Sequence, residues 1–371
     1  MERHKMPFPV EYTFPDSLIN VIERCWNLGV FDSYSENHFL IRALMNDTEY
    51  FKRYLSDHHY HNYEHFPLDF LVNFNTRLRG LCQYFGDEEI QTFMQDQLSA
   101  GKANYSQNTF FEALSEIHLL FFFSVFGPSE IIKATYEPPL GPNRSNPEAR
   151  FEYADGTILD LEIKTPKFPP RDNLKNTVFP CLLLDDTGRE ELNLYCQQHD
   201  LSCQFPRILK FKDFFASAAK KFEVPTSGKH INLLAINWSY TDLEQAPLFE
   251  PIHLLCNAAN GLFINKKAVL SLEISDEVLS KITAVFLYHL SENFLLFSDM
   301  RYLFQTRDYK IIMNPFCGQA NADAVHQLTR MAVNMPSELS HDPPIFFDLE
   351  DKDWSTEFSE IARIVNEHIL L

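Results

Sequence analysis

Apolar residues recur at helical spacing through the first hundred positions and give way to strand-like patterning after about residue 130. Asp16 can cap a helix whose apolar positions Leu18, Ile22, Cys25 and Trp26 share one face before Gly29 closes it. Further helices are predicted over residues 35–55, 68–84 and the acidic stretch 87–98, and residues 99–105 read as a linker. Thr109 and Glu112 form a T-x-x-E capping box, so the next helix is predicted from about 110 to 126, stopped by Gly127-Pro128. Capping accounts for Glu112. Glu116, one turn later on a strongly apolar helix, has no such explanation.

Strands are predicted over residues 130–136, 148–153 and 158–165, followed by a Pro-rich, irregular insertion at 166–206. A basic amphipathic helix is expected at 210–222, a buried strand at 231–238, further strands at 282–290 and 309–313, and a closing helix at 355–371. The implied organisation is a helical N-terminal region, 1–104, and a mixed α/β domain, 105–371.

Composition narrows this picture. A chain of 371 residues with 45% hydrophobic and 22% charged residues can bury a large core, so disorder is not expected. The longest apolar run, residues 117–126, falls short of the ~20 residues of a membrane span, and MERHKMPFPVEY has no signal-peptide core. A cytoplasmic location without membrane contact is the expectation. Seven scattered cysteines without a CxxC pair point to reduced thiols. Cys196, His199 and Cys203 could offer three zinc ligands, but no fourth accompanies them and packing is the favoured explanation.

The net charge of -19 argues against a surface that attracts phosphate everywhere. Residues 164–229 depart from it, with eleven Lys and Arg against eight Asp and Glu, so phosphate contacts are expected there.

The chemistry centres on Asp160-Leu161-Glu162-Ile163-Lys164. Alternation along a strand puts Asp160, Glu162 and Lys164 on one face, an arrangement that a solvated salt-bridge ladder would also explain. The preceding turn sharpens the case. Ala154-Asp155-Gly156 suits a three-residue hairpin loop with Gly156 in the left-handed region. This loop pairs Tyr153 with Thr157 and sets Arg150 opposite Asp160 and Glu148 opposite Glu162, whereas a two-residue turn would send Glu148 away. Two carboxylates on neighbouring strands suit Mg²⁺, and Lys164 could position the attacking water and neutralise charge on a phosphorane.

Glu116 on a helix, Pro147-Glu148 opening the second strand and Glu162-Ile163-Lys164 on the third resemble the PD-(D/E)XK nuclease superfamily. The resemblance covers about residues 109–239, in the order helix, three strands, helix, strand. It implies a restriction-endonuclease-like α/β core, with a mixed central sheet flanked by helices and an α-helical region before it. It implies a Mg²⁺-dependent endonuclease, with Mn²⁺ as a substitute, cleaving DNA, with RNA left open, in restriction or phage defence. Glu148 and Glu162 would bind the metal, Lys164 would be the catalytic lysine, and Glu116 would organise the site. Glu148 stands where Asp is usual, leaving Asp160 or Glu152 to share the metal. Lys210, Lys212, Lys220 and Lys221 lie where family members contact nucleic-acid phosphates, a solvated face being the equal alternative. The acidic balance suggests a homo-oligomer or a basic protein partner to hold DNA.

Two other functions compete. One is a non-catalytic nucleic-acid or protein interaction module that keeps the nuclease fold. The other is a zinc metalloprotease through His61-x-x-Glu64-His65, a pattern that needs a helix in a segment crowded with histidines and followed by Pro67.

Overall fold

The computed structural model describes residues 24, 38–56, 66–98, 106–141, 145–168, 176–205, 207–239, 248–265, 273–290, 309–338, 345–348 and 355–369. The helix expected after Asp16, the linker at 99–105 and the His61–His65 motif lie outside them. The chain forms two compact units: one holds Met1–Tyr136, Phe151–Asp155 and Leu290–Arg307, the other Glu137–Arg150, Gly156–His289 and Asp308–Leu371.

The first unit contains α1 (Phe39–Leu44), α2 (Thr48–Ser56), α3 (Phe66–Leu81), α4 (Asp87–Asp96) and α5 (Gln107–Phe126). Its core is aromatic. Phe39 meets Phe51 and Phe70 edge-on, each at 5.1 Å, and Phe111 at 5.4 Å, the geometry that ring quadrupoles favour. The expected cap of α5 is corrected. Ser106, in extended conformation, accepts the backbone N–H of Thr109 at 3.4 Å, so the helix begins three residues earlier. Glu112 therefore does not sit at the capping position, and capping no longer separates it from Glu116. By length and composition α5 could cross a membrane, yet 72% of its apolar window is buried inside the protein, as in a core helix. Because α5 packs against α3, the units do not divide after residue 104.

The strands in chain order are β1 (Ile131–Tyr136), β2 (Ala149–Tyr153), β3 (Ile158–Lys164), β4 (Thr177–Pro180), β5 (Ser202–Cys203), β6 (His230–Asn237), β7 (Ala284–Tyr288), β8 (Tyr309–Met313), β9 (Val333–Asn334) and β10 (Ile345–Asp348). Among the described residues, seven of them form one mixed sheet ordered β1-β2-β3-β6-β7-β8-β9. β3, β6 and β7 run parallel, β8 antiparallel to β7, and β9 parallel to β8. The expected α/β architecture, a mixed sheet flanked by helices, is present. All eight residues of β6 are buried, as in a parallel strand covered on both faces.

In the second unit, α6 (Asp186–Gln198), α7 (Ile208–Lys221), α8 (Phe249–Cys256), α9 (Asp276–Ser280), α10 (Ala322–Thr329) and α11 (Ser355–Glu367) follow in order. Phe211, Phe215 and Phe222 of the α7 segment join Leu234, Ile236 and Trp238 in one core cluster, which fixes α7 to the central strand. Within 166–206, expected to be an irregular insertion, the described residues form β4, α6 and β5. β4 and β5 join β10 in a second sheet ordered β10-β4-β5. Val178, Leu184, Leu192 and Cys196 close a core with Ile361, Ile364 and Val365 of α11. A third of that core, Ile361, Ile364 and Val365, comes from the far end of the sequence, so no local pattern announces it.

Gly156 has φ +85°, the left-handed value expected of the three-residue loop, and open space around its missing side chain. Gly156→Ala is therefore expected to lose about 1 kcal/mol through backbone strain alone, and Gly156→Asn less. Urea unfolding checks this, and an Ala variant as stable as the parent would remove the left-handed requirement.

Candidate active site

β3 carries two fully buried carboxylates on one face, and each is neutralised differently. Arg150 on β2 donates to Asp160 through Nε at 2.6 Å and Nη2 at 2.7 Å, a bidentate pair. His230, at the start of β6, meets the second oxygen at 2.9 Å. Its Nδ1 accepts the Thr226 N–H at 3.4 Å, which assigns the ring proton to Nε2 and makes Nε2 the donor to Asp160. Burial opposes the charge on Asp160, but these donors outweigh it and hold the carboxyl below its ordinary range. Both oxygens are thus committed. Asp160, expected to support a metal, instead ties β2, β3 and β6 together.

Glu162 sits two residues further along β3, with 0% exposure. Lys164 reaches its Oε1 at 2.6 Å, and Lys221, the last residue of α7, reaches Oε1 at 2.8 Å and Oε2 at 2.9 Å. Both ammoniums stand within ion-pair distance of Oε1, although neither has the alignment of an ordinary hydrogen bond there. Glu148, just before β2, donates its backbone N–H to Leu161 O at 2.9 Å and turns its side chain toward the same Lys221 at 3.5 Å. Glu148, Glu162, Lys164 and Lys221 therefore converge.

Charge is unevenly shared in this cluster. Burial, and then the neighbouring Glu162 charge, push the Glu148 carboxyl up to about 7, against a partial offset from Lys221 and Lys164. Burial alone would lower the Lys221 pKa, but Glu162 and Glu148 reverse that and raise it. Glu148 is thus under-neutralised. Two carboxylates from adjacent strands suit a hard divalent ion that keeps several waters. Among the described residues, no group of three or more His, Cys, Asp or Glu side chains is arranged to hold a metal.

The position of Lys221 is set by backbone, not by its own side chain. Ser145 Oγ donates to Lys220 O at 2.6 Å, and Lys281 Nζ donates to Ala219 O at 3.1 Å. A side chain at Gly141 would collide with Lys220 O, so the loop after β1 also closes on this helix end. Asn232 Nδ2 donates to Glu223 O and Lys281 O, each at 2.6 Å, fastening the segment that follows α7 to β6.

Comparison of the chain with protein-family models, with curated proteins and with solved structures finds no match. The site is therefore judged on its own geometry. Of the residues expected from sequence, Glu148, Glu162 and Lys164 lie together, and Glu116 lies on α5 in the first unit. Glu152 pairs with Lys133 at 3.5 Å. The four lysines expected to share a nucleic-acid face do not. Lys210 and Lys220 are exposed, Lys212 pairs with Glu273 at 3.2 Å, and Lys221 turns into the carboxylates. His230 was not singled out by sequence, because its meeting with Asp160 depends on the parallel β3–β6 register. The zinc reading of Cys196, His199 and Cys203 finds no support, since His199 stacks on Tyr195 at 4.4 Å and faces Glu357 at 3.7 Å.

Two stability effects of opposite sign follow. Asp160 has a depressed pKa, so its contribution is present above the ordinary carboxylate range and lost as pH falls through its lowered value. Asp160→Asn is expected to cost about 3 kcal/mol at pH 7, the low end for breaking a buried pair because Arg150 is partly exposed. Glu148 has a raised pKa, so its cost appears as pH rises above its ordinary 4.5 and is complete only above about 7. Glu148→Gln should therefore gain stability over the parent at pH 8 and not at pH 4. Guanidinium unfolding across that range tests both, and a pH-independent difference for Glu148→Gln would contradict the raised carboxyl.

Proposed function

We propose that this protein is a divalent-cation-dependent phosphodiesterase acting on nucleic acid, an endonuclease built on a restriction-endonuclease-like core. The reading rests on one observation: two buried carboxylates from adjacent strands, Glu148 and Glu162, converge with Lys164, two residues along β3 from Glu162. The chain order α5-β1-β2-β3-α7-β6, interrupted by β4, α6 and β5, accords with it. Glu148 and Glu162 would hold Mg²⁺ or Mn²⁺, which when bound would polarise the phosphodiester and stabilise charge on the leaving oxygen. The Lys164 side chain is 22% exposed, and its ammonium would orient the attacking water and oppose charge developing on phosphorus. Arg150 and His230 hold the β2–β3–β6 frame through Asp160. DNA is the proposed substrate, with RNA as the alternative, and a role in restriction or phage defence follows by analogy with the family.

One observation favours a second reading. Lys221 already contacts both carboxylates, so the cluster neutralises itself as it would in a non-catalytic interaction module of the same fold. Incubation with plasmid, linear DNA and RNA in Mg²⁺ or Mn²⁺ separates the two. The parent should cleave, and Lys164→Ala and Glu162→Gln should lose at least about 100-fold, the scale of removing a charge-stabilising group. Absence of cleavage by the parent under every condition would support the interaction module, and equal cleavage by all three proteins would place the chemistry elsewhere.

A further inference from the structure

We infer that Lys221 is a resident counter-cation that closes the Glu148–Glu162 site, and that its ammonium leaves when a divalent ion binds. The inference deepens the metal-site reading and rests on it. Lys221 Nζ lies 2.8 and 2.9 Å from the two oxygens of Glu162 and 3.5 Å from Glu148, so one ammonium spans the two carboxylates proposed as ligands. With Lys164 also on Glu162, two carboxylates face two ammoniums, and the cluster is formally neutral.

A divalent ion added to a neutral, buried cluster would leave two uncompensated positive charges in contact with ammonium groups. Expelling one ammonium relieves this. Lys221 is the one suited to leave, because Lys164 belongs to the strand that carries Glu162, whereas Lys221 reaches in from a helix end. Its side chain is 23% exposed, so a path to water exists. The backbone beneath it does not need to move, since Phe222 N–H is bonded to Ala218 O at 2.9 Å and the Ala219 and Lys220 carbonyls accept from Lys281 and Ser145. A released ammonium at the C-terminus of α7 also stays favourably placed against the helix dipole. Lys221 therefore keeps the carboxylates paired without metal and raises the metal concentration needed to load them.

The test is Mn²⁺ titration of the full chain by calorimetry, for the parent, Lys221→Met, Lys221→Arg and Glu162→Gln. Removing an occupant that must leave first raises the apparent affinity by the inverse of the open fraction. Lys221→Met should bind Mn²⁺ about tenfold or more tightly, while melting at a lower temperature than the parent in chelator. Lys221→Arg should bind no more tightly than the parent, and Glu162→Gln should abolish binding. A second measurement uses the parent alone. Acetylation of Lys221 by a dilute acylating reagent, read by mass spectrometry, should accelerate on adding Mn²⁺, with Lys210 as the reference. Parent and Lys221→Met binding Mn²⁺ equally through Glu162, with unchanged Lys221 acetylation, would overturn the counter-cation role and leave the metal site standing. Failure of every protein to bind Mn²⁺ would overturn both.

Discussion

The central strand of this protein carries two buried carboxylates, and the surrounding structure is organised by the need to neutralise them. A charge removed from water without a partner costs far more than a folded domain's net stability can absorb. Asp160 takes Arg150 from β2 and His230 from β6, while Glu162 takes Lys164 from its own strand and Lys221 from α7. Each partner belongs to a segment that must be correctly docked before the charge is matched. Neutralisation therefore enforces the β2–β3–β6 arrangement and the placement of the α7 terminus as effectively as apolar packing does.

The two carboxylates do different work because their partners differ in geometry. Asp160 is saturated by a rigid guanidinium fork and an imidazole whose tautomer is set by a backbone N–H, which suits a permanent fastening. Glu162 and Glu148 are served by flexible ammonium groups, and among the described residues Glu148 has one of them, Lys221, within ion-pair distance, at 3.5 Å. A carboxylate saturated by a rigid fork and one held by flexible ammonium arms thus lie two residues apart on one strand, separated by what pairs with them and not by residue type.

The net charge of -19 fits this division. Some basic residues between 164 and 229 are engaged inside the second unit: Lys164 and Lys221 on Glu162, and Arg207, which pairs with buried Glu250 at 3.3 Å and lies 3.9 Å over the Phe168 ring, whereas Lys167, Lys210, Lys220 and Lys229 are exposed. The local excess of positive charge therefore divides between internal pairs and exposed lysines. Long-range capture of a polyanion would fall to exposed groups such as Lys210 and Lys220, or to a partner.

Alternation and turn chemistry determined much of the candidate site before any coordinates. The parity of a strand puts Asp160, Glu162 and Lys164 on one side, and the glycine of Ala154-Asp155-Gly156 implies a loop that sets Arg150 opposite Asp160 and Glu148 opposite Glu162; Arg150 does meet Asp160, whereas the Glu148 N–H bonds Leu161 O. These are local rules acting within a single hairpin. Strand positions within the core were legible for the same reason. The cap of α5 was not, because Ser106 and Thr109 both offer hydroxyls and only backbone conformation chooses between them. Tertiary structure alone decided that His230 and Lys221 reach β3. It also decided that residues 176–205 form a layer of β4, α6 and β5 whose core is completed by Ile361, Ile364 and Val365. Those contacts depend on parallel register and helix docking across long sequence separations, where side-chain periodicity says which face a residue occupies but not what it will meet.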